Sequence, residues 1–159
     1  LPVVTSRCEK VFFVLSKSEF IKGYAKLHFG VFTMQPGLEL DVVIAQFLGW
    51  QDVRIQEVAA CSTKRVLGIR PDERPSPYTG YRPSYHVPYY SQNIEAAWQI
   101  VIKLGDQFRG LYREDDQWIA VVIVLRKTHV KGSTPAHAIC LAALEYERMP
   151  HFNRKSLFY

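Results

Sequence analysis

Residues 90–104, which read YSQNIEAAWQIVIKL, have the clearest helical pattern in the chain. Apolar side chains recur there at steps of three and four, a spacing that places them on one face of an α-helix. They are Ile94, Ala97, Trp98, Val101 and Leu104. Ser91 is suited to cap the first helical turn, and Gly105 is suited to end the helix. We therefore predict an amphipathic helix whose largest apolar side chain, Trp98, packs against a sheet.

The segments before this helix are separated by glycine and proline. Pro36 and Gly37 precede an amphipathic pattern that predicts a short helix ending at Gly49. Apolar residues that alternate in residues 52–60 and 64–70 predict two strands, joined across 61–63 as a β-hairpin.

The segments after the helix repeat this plan. Residues 108–113 and 118–127 flank an acidic turn at 114–117 and predict a second hairpin. A hydroxyl cap followed by proline, in Ser133-Thr134-Pro135, predicts an alanine-rich helix from Pro135 to Arg148. This order of elements is typical of an α+β domain. We expect a three-layer α/β/α sandwich around a small, mainly antiparallel four-stranded sheet.

Residues 71–90 interrupt the regular pattern with five prolines and five tyrosines, so we predict a long loop. Aromatic rings interleaved with guanidinium groups suit base stacking and phosphate binding, and they suit a protein interface equally well. The candidate binding residues are Arg74, Tyr78, Tyr81, Arg82, Tyr85 and His86. A third interpretation, which we favour, is a tolerated insertion in which Tyr89 and Tyr90 pack beside the helix.

The net charge of +5 is concentrated at the two ends of the chain. Residues 1–33 carry five Lys and Arg against two Glu, residues 147–159 carry three against one, and residues 34–146 carry twelve of each sign. The pattern therefore does not indicate a basic groove within the domain, although basic tails can contact phosphate weakly. No run approaches the ~20 apolar residues of a membrane span, so we expect no membrane partner.

The same pattern divides the chain into three parts. Residues 1–33 contain six aromatic residues and His28, spaced irregularly among lysines. They form either a docking arm or a segment upstream of a natural start at Met34, and we favour the second interpretation. Residues 34–146 form the domain, and residues 147–159 form a basic, aromatic tail that we expect to fray.

The three cysteines, Cys8, Cys61 and Cys140, are odd in number and far apart, which favours a reducing compartment over a disulfide framework. The first residues lack the order of charges and apolar residues of a secretory signal. We therefore expect a cytoplasmic protein.

Few side chains are placed for catalysis or metal binding. His137 and Cys140 are three residues apart on the last helix, but a structural zinc site needs four ligands. We expect Cys140 to be a core residue and His137 to be half exposed. The acidic turn at 114–117 is expected to be solvated, and Ser91 and Ser133 to be helix caps. We therefore predict no metal, no cofactor and no catalytic residue.

Three blocks of the sequence resemble, in the same order, those of the phage ABA sandwich domain family. The blocks are residues 34–41 (MQPGLELD) with 48–50 (LGW), residues 87–91 (VPYYS) with 94–98 (IEAAW), and residues 134–144 (TPAHAICLAAL). The resemblance covers roughly residues 34–146. It implies a small protein encoded by a phage or prophage, with a three-layer sandwich and no activity to transfer. Residues 1–33 have no counterpart in the family, and the loop at 71–90 is longer than expected.

These observations together predict a non-enzymatic accessory protein that acts by binding. In the first hypothesis its partner is a protein, contacted by the loop and the aromatic N-terminal arm. In the alternative it binds an anionic nucleotide or nucleic acid, for instance as a sponge for a small nucleotide signal, and Arg74, Arg82 and Tyr85 would then matter. An enzyme is the weakest of the three hypotheses.

Overall fold

The computed structural model describes residues 34–58, 62–124 and 126–148. The predictions made for residues 1–33, for Cys61 and for residues 149–159 lie outside these ranges. The described residues form an α+β fold with three helices and two three-stranded antiparallel sheets. None of the helices in these ranges combines the length and the apolar character needed to span a bilayer.

In chain order the elements are α1 (Leu38–Leu48), β1 (Gln51–Val58), β2 (Thr63–Ile69), β3 (Tyr85–His86), α2 (Ile94–Leu104), a 3-10 turn (Gly105–Gln107), β4 (Phe108–Glu114), β5 (Gln117–Ile123), β6 (Lys127–Gly132) and α3 (Pro135–Arg148). The three predicted helices and both predicted hairpins are therefore confirmed. α3 ends at Arg148, as predicted.

The first sheet has the order β1-β2-β3. β1 and β2 form the predicted antiparallel hairpin. β3 lies inside the segment that was predicted to be loop throughout, and it pairs His86 with Leu67 and Tyr85 with Gly68. A short strand is compatible with the neighbouring prolines because an edge strand pairs on one side only.

The second sheet has the order β4-β5-β6, so the prediction of one four-stranded sheet was wrong. The strand predicted at 118–127 ends at Ile123, and the chain turns back to form β6, which the sequence analysis missed. β6 reads KTHVKG and is mostly polar, which is why apolar alternation did not reveal it. The turn between β4 and β5 is also tighter than predicted. Asp115 and Asp116 both have positive φ angles, as a two-residue hairpin turn requires.

α3 lies at the centre of the described fold. Its eight consecutive residues from 136 to 143 are all buried, and the helix contacts β5, β6, α1 and α2. The approach to β6 is especially close, since a Cβ atom added to Gly132 would lie 2.4 Å from the backbone nitrogen of Ala138. Glycine at 132 and small residues along α3 make this packing sterically feasible.

The face of α2 that meets the core is rotated from the predicted one, so that only Ala97 and Leu104 of the predicted stripe are buried. Its buried residues are Ala96, Ala97, Ile100 and Leu104. Trp98 is 49% exposed, so the prediction that it packs against a sheet was wrong. Two apolar stripes share this helix, and the stripe that contains two alanines is the one that is buried.

The cap of α2 also differs from the prediction. Asn93, not Ser91, is the N-cap residue, and its Oδ1 accepts from the backbone N–H of Glu95 at 2.9 Å. Gly105 ends the helix, as predicted.

Candidate functional site

An open cleft lies between the end of α1, the segment that follows β2, and one side of α2. Its volume is about 480 Å³, within the usual range for small-molecule sites. The lining residues are Leu48, Trp50, Arg70, Pro71, Asp72, His86, Pro88, Tyr90, Gln99, Ile102 and Lys103. The cleft therefore combines apolar walls with several charged and polar side chains.

Local chain geometry positions the α1 side of the cleft. Gly49 ends α1 with φ of 98°, a left-handed conformation that glycine adopts without a steric penalty. The next amide, that of Trp50, donates to the carbonyl of Ala45 at 3.0 Å. A Cβ added at Gly49 would contact Pro71 at 3.6 Å, so the two edges of the cleft meet there.

Arg70 is the most clearly positioned cation of the cleft. Its guanidinium carbon lies 4.2 Å from the centre of the Tyr85 ring, a cation–π contact. The ring belongs to β3, where Tyr85 pairs with Gly68, and the nearby Glu73 carboxylate raises the pKa of the Tyr85 hydroxyl. Within the described ranges, neither ion pair involves Arg70. The stacked guanidinium therefore keeps its edge donors for another group.

The opposite wall is formed by α2 and the buried tyrosine before it. Tyr90 is fully buried, and its hydroxyl lies 3.4 Å from Oε1 of Gln99. Burial raises the pKa of Tyr90, so this group is a neutral phenol at ordinary pH. Lys103 donates to the backbone carbonyl of Phe47 and lies over the Phe47 ring.

The six candidate residues predicted from the loop do not converge on one site. Only His86 lines the cleft, and Tyr85 reaches it indirectly, beneath Arg70. Arg82 donates to Gln51 Oε1 at 2.7 Å, outside the cleft lining.

The remaining candidates extend into solvent. Tyr78 and Tyr81 are 95% and 66% exposed, and Arg74 is exposed as well. Of the two tyrosines expected beside the helix, Tyr90 is buried, but Tyr89 is largely exposed and contacts His86 edge to face at 5.1 Å. Binding by the six residues stays a prediction.

The sequence did not suggest that Arg70, Gln99 and Lys103 belong to one site. Arg70 follows directly after β2, where a strand ends, and the two others are four residues apart on α2. The position of Arg70 at a strand end and the shared helix face of Gln99 and Lys103 could both have been predicted from the sequence. The sequence does not predict which elements form the two sides of the cleft, because that depends on tertiary packing.

A buried polar contact joins α1 to the segment before α2. Asp41 is fully buried, and its Oδ1 accepts from the backbone N–H of Ser91 at 2.7 Å. Ser91 Oγ accepts from the Gly37 amide at 2.9 Å, so Ser91 links two segments instead of capping a helix as predicted. Asp41 Oδ2 is buried with no hydrogen-bond partner in the described part of the chain. Burial raises the pKa of Asp41.

His137 and Cys140 are both core residues. The prediction of a half-exposed His137 was wrong, because the side chain is buried and its Nε2 lies 2.6 Å from the Met34 carbonyl oxygen. Its Nδ1 accepts from the Ser133 amide at 3.2 Å, so Nε2 carries the hydrogen and donates to Met34. The cap predicted at Ser133 is supplied by Thr134, whose Oγ1 accepts from the His137 amide.

Burial raises the pKa of the Cys140 thiol far above its usual range. A thiol that stays protonated is a poor nucleophile and a poor metal ligand. Among residues 34–58, 62–124 and 126–148, no three His, Cys, Asp or Glu side chains are grouped so as to hold a metal ion.

A row of apolar side chains covers the outward face of α2. Ile94, Trp98 and Ile102 are four residues apart in succession and are 39%, 49% and 73% exposed. We call these three residues the α2 ridge. Residues at this spacing lie one above another on a helix surface, so the ridge is continuous. Its last member, Ile102, also lines the cleft.

The comparisons with known proteins identify the family. No curated protein matches the chain. A crystal structure of a phage protein from Bacillus cereus is similar, with 27% sequence identity, coverage of 76% of this chain and 99% of that chain, and a TM-score of 0.48. The sequence model of the phage ABA sandwich domain matches residues 63–144, more than half of the 159 residues. The chain therefore belongs to the phage ABA sandwich domain family.

Proposed function

We propose that this protein is a small, non-enzymatic accessory protein of a phage or prophage and that it acts by binding another protein through the α2 ridge. The observation that carries the proposal is the exposure of Ile94, Trp98 and Ile102 along one helix face. Membership of a phage domain family supports the phage setting.

Exposed apolar residues are common when they are scattered singly on a surface. The α2 ridge differs because its three members are contiguous and the central one is a tryptophan. Tryptophan is enriched at the centres of protein interfaces, where a few residues carry most of the binding energy. Burying one such side chain fully is worth about 1.5–3 kcal/mol, so covering the ridge would contribute substantially to affinity.

The placement of the buried titratable groups supports binding over catalysis. Asp41, His137 and Cys140 are all buried, and none of them lines the cleft. His137 hydrogen-bonds within the core on both sides of its ring. Catalytic acids, bases and nucleophiles need access to a substrate, and these three groups lack it in this arrangement.

The proposal is tested by affinity capture from a lysate of the bacterial host, with and without phage infection, followed by mass spectrometry. We expect the wild-type chain to retain a protein that the W98E variant loses, because a carboxylate at the centre of the interface would be desolvated without a partner. Ile55, which is 43% exposed on β1, provides the matched control as I55E. Both variants should unfold within about 3 °C of the wild type, since neither side chain belongs to the core.

Retention of the same protein by wild type and W98E alike would contradict the proposal. Equal loss from W98E and I55E would contradict it too, because the effect would then not be specific to the ridge. Sedimentation of the purified chain should show a monomer. A dimer that W98E separates would replace the partner protein with a second copy of this chain.

A further inference from the structure

A second inference concerns the cleft and goes beyond protein binding by the ridge. We propose that the cleft is a site for a small organic anion, in which a phosphate or carboxylate group is attached to a flat or apolar body. Arg70 is the residue that binds the anionic group. This site differs from the loop surface that the sequence suggested for anionic ligands, because of those six residues only His86 lines it.

The Arg70 side chain is already positioned before any ligand binds. An arginine side chain ordinarily has many rotamers, and fixing one of them on binding costs entropy. Here the guanidinium is already stacked on Tyr85 at 4.2 Å, and Tyr85 is fixed in β3 by its pairing with Gly68. A stacked guanidinium presents its N–H donors in its own plane, which is the geometry that carboxylates and phosphates bind.

Arg70 has no carboxylate partner for an ion pair in the described part of the chain. The carboxylates of Asp72 and Glu73 are its neighbours in sequence, yet in the described ranges Arg70 forms no ion pair with either. The carboxylate of Glu73 acts on the Tyr85 hydroxyl instead, whose pKa it raises. A positioned cation that is left unpaired in the wall of a cleft is suited to an anion from outside the chain.

The rest of the cleft defines the body of the ligand. Leu48, Pro71, Pro88 and Ile102 give it apolar walls, and Trp50 adds a flat one. A volume of about 480 Å³ is much larger than a bare phosphate or carboxylate needs. An inorganic ion would leave these walls uncovered, so an anion with an attached ring or chain fits better.

The polar residues on the two walls add to the specificity. Lys103 on α2 contributes a second positive charge to the cleft, although its ammonium group already donates to Phe47. Asp72 offers an acceptor near Arg70, which suits an N–H or O–H group on the body of the ligand. A ligand that carries such a donor beside its anionic group matches both residues.

Isothermal titration calorimetry on the full chain tests the proposal with defined probes. AMP and UMP represent a phosphate on a flat body, and phenylacetate represents a carboxylate on one. Inorganic phosphate and adenosine supply the two halves separately. We expect at least one complete anion to bind, and each half to bind more weakly by about tenfold or more, because anion and body are recognised together. Phenyl phosphate and phenylacetate both carry a phenyl ring, so the difference between them assigns the anionic group.

Substitutions locate the site. R70Q should reduce the affinity for that probe by about tenfold or more, because the charged hydrogen bonds are lost. R54Q removes an exposed arginine of β1, outside the cleft lining, and should leave the affinity unchanged. Y85F keeps the ring beneath Arg70 and should retain binding, whereas Y85L removes the ring and should weaken it.

Three results would overturn the proposal: no heat of binding from any probe at millimolar concentration, equal losses for R70Q and R54Q, or inorganic phosphate binding as tightly as AMP. None of these results concerns the α2 ridge. The capture experiment with W98E therefore stands or fails separately.

Discussion

α2 and α3 are both mostly apolar in sequence, but the fold uses them in opposite ways. All eight residues from 136 to 143 of α3 are buried, whereas only four of the eleven residues of α2 are. Five of the eight buried residues of α3 are alanine or cysteine, and the helix contacts other elements on several sides. α2 has larger side chains and leaves the α2 ridge exposed. Burial in this domain therefore follows side-chain size and location more than apolar content.

The closest contact of α3 gives the largest expected effect. Replacing Gly132 with valine would place a Cβ atom 2.4 Å from the Ala138 nitrogen, and backbone on both sides prevents relief by a rotamer change. We expect a loss exceeding ~5 kcal/mol, which would remove the cooperative unfolding transition of a domain of ordinary stability. Urea denaturation followed by circular dichroism measures it.

Gly110 provides the matched control for this substitution. It lies within β4, and a Cβ added there would meet no heavy atom within 4 Å. G110V should keep the transition, because valine is favourable in strands and space is available. If G132V and G110V lowered the free energy of unfolding by similar amounts, the close approach of α3 to Gly132 would not be the cause of the loss.

A pair of isoleucines compares the two helices directly. Ile139 in α3 is fully buried, and Ile102 in α2 is 73% exposed. We expect I139A to lower the free energy of unfolding by about 2–5 kcal/mol, through lost burial and a residual cavity. I102A should change it by less than ~0.5 kcal/mol, as exposed positions do. A loss above ~1 kcal/mol for I102A would mean that the ridge is covered within this chain, and would remove the basis for a partner there.

The elements of the fold were predictable where one local signal decides them. Gly49 ends α1, Asp115 and Asp116 form a tight turn, and Pro135 begins α3. Each of these depends on the backbone conformation of one or two residues, which the residue type alone constrains. Bounds without such a position were predicted less well, such as the end of β5 at Ile123 and the start of α2 after Asn93.

The face of a helix that meets the core depends on its neighbours instead. Trp98 and Ala97 both belong to the predicted apolar stripe of α2. Ala97 is the one that is buried, where α2 packs against the small side chains of α3. β6 shows the same limit, since its pairing with β5 comes from a turn rather than from apolar alternation. Hydrophobic periodicity identifies the element but not its partner.

The candidate site was less predictable than the fold for a related reason. Arg70 and Lys103 are more than thirty residues apart in the sequence and are joined only by the cleft. The loop tyrosines attracted attention through composition, yet Tyr78 and Tyr81 extend into solvent. Tyrosines that are clustered in the sequence of the loop therefore do not form a cluster in the folded domain, whereas the distant Arg70 and Lys103 lie in the same cleft.

The smallest expected effect concerns the contact that positions the start of α2. Burial raises the pKa of Asp41 above that of an unfolded aspartate, about 3.9. The folded state therefore binds more protons than the unfolded state between that value and the folded pKa, so stability falls as pH rises through this window. An asparagine at 41 can still accept from the Ser91 amide but cannot ionise. We expect D41N to change stability by about 1 kcal/mol and to remove this part of the pH dependence.

Urea titrations of wild type and D41N at a series of pH values above 4 provide the measurement. The stability of D41N relative to wild type should increase as pH rises, and should level off above the folded pKa of Asp41. D106N, which removes an exposed carboxylate next to α2, controls for the change in net charge. A wild-type stability that increases with pH through the window, and that D41N reduces, would show that Asp41 is stabilising as a carboxylate. Its unpaired Oδ2 would then have to meet a donor, and the link between α1 and α2 would be ionic instead of neutral.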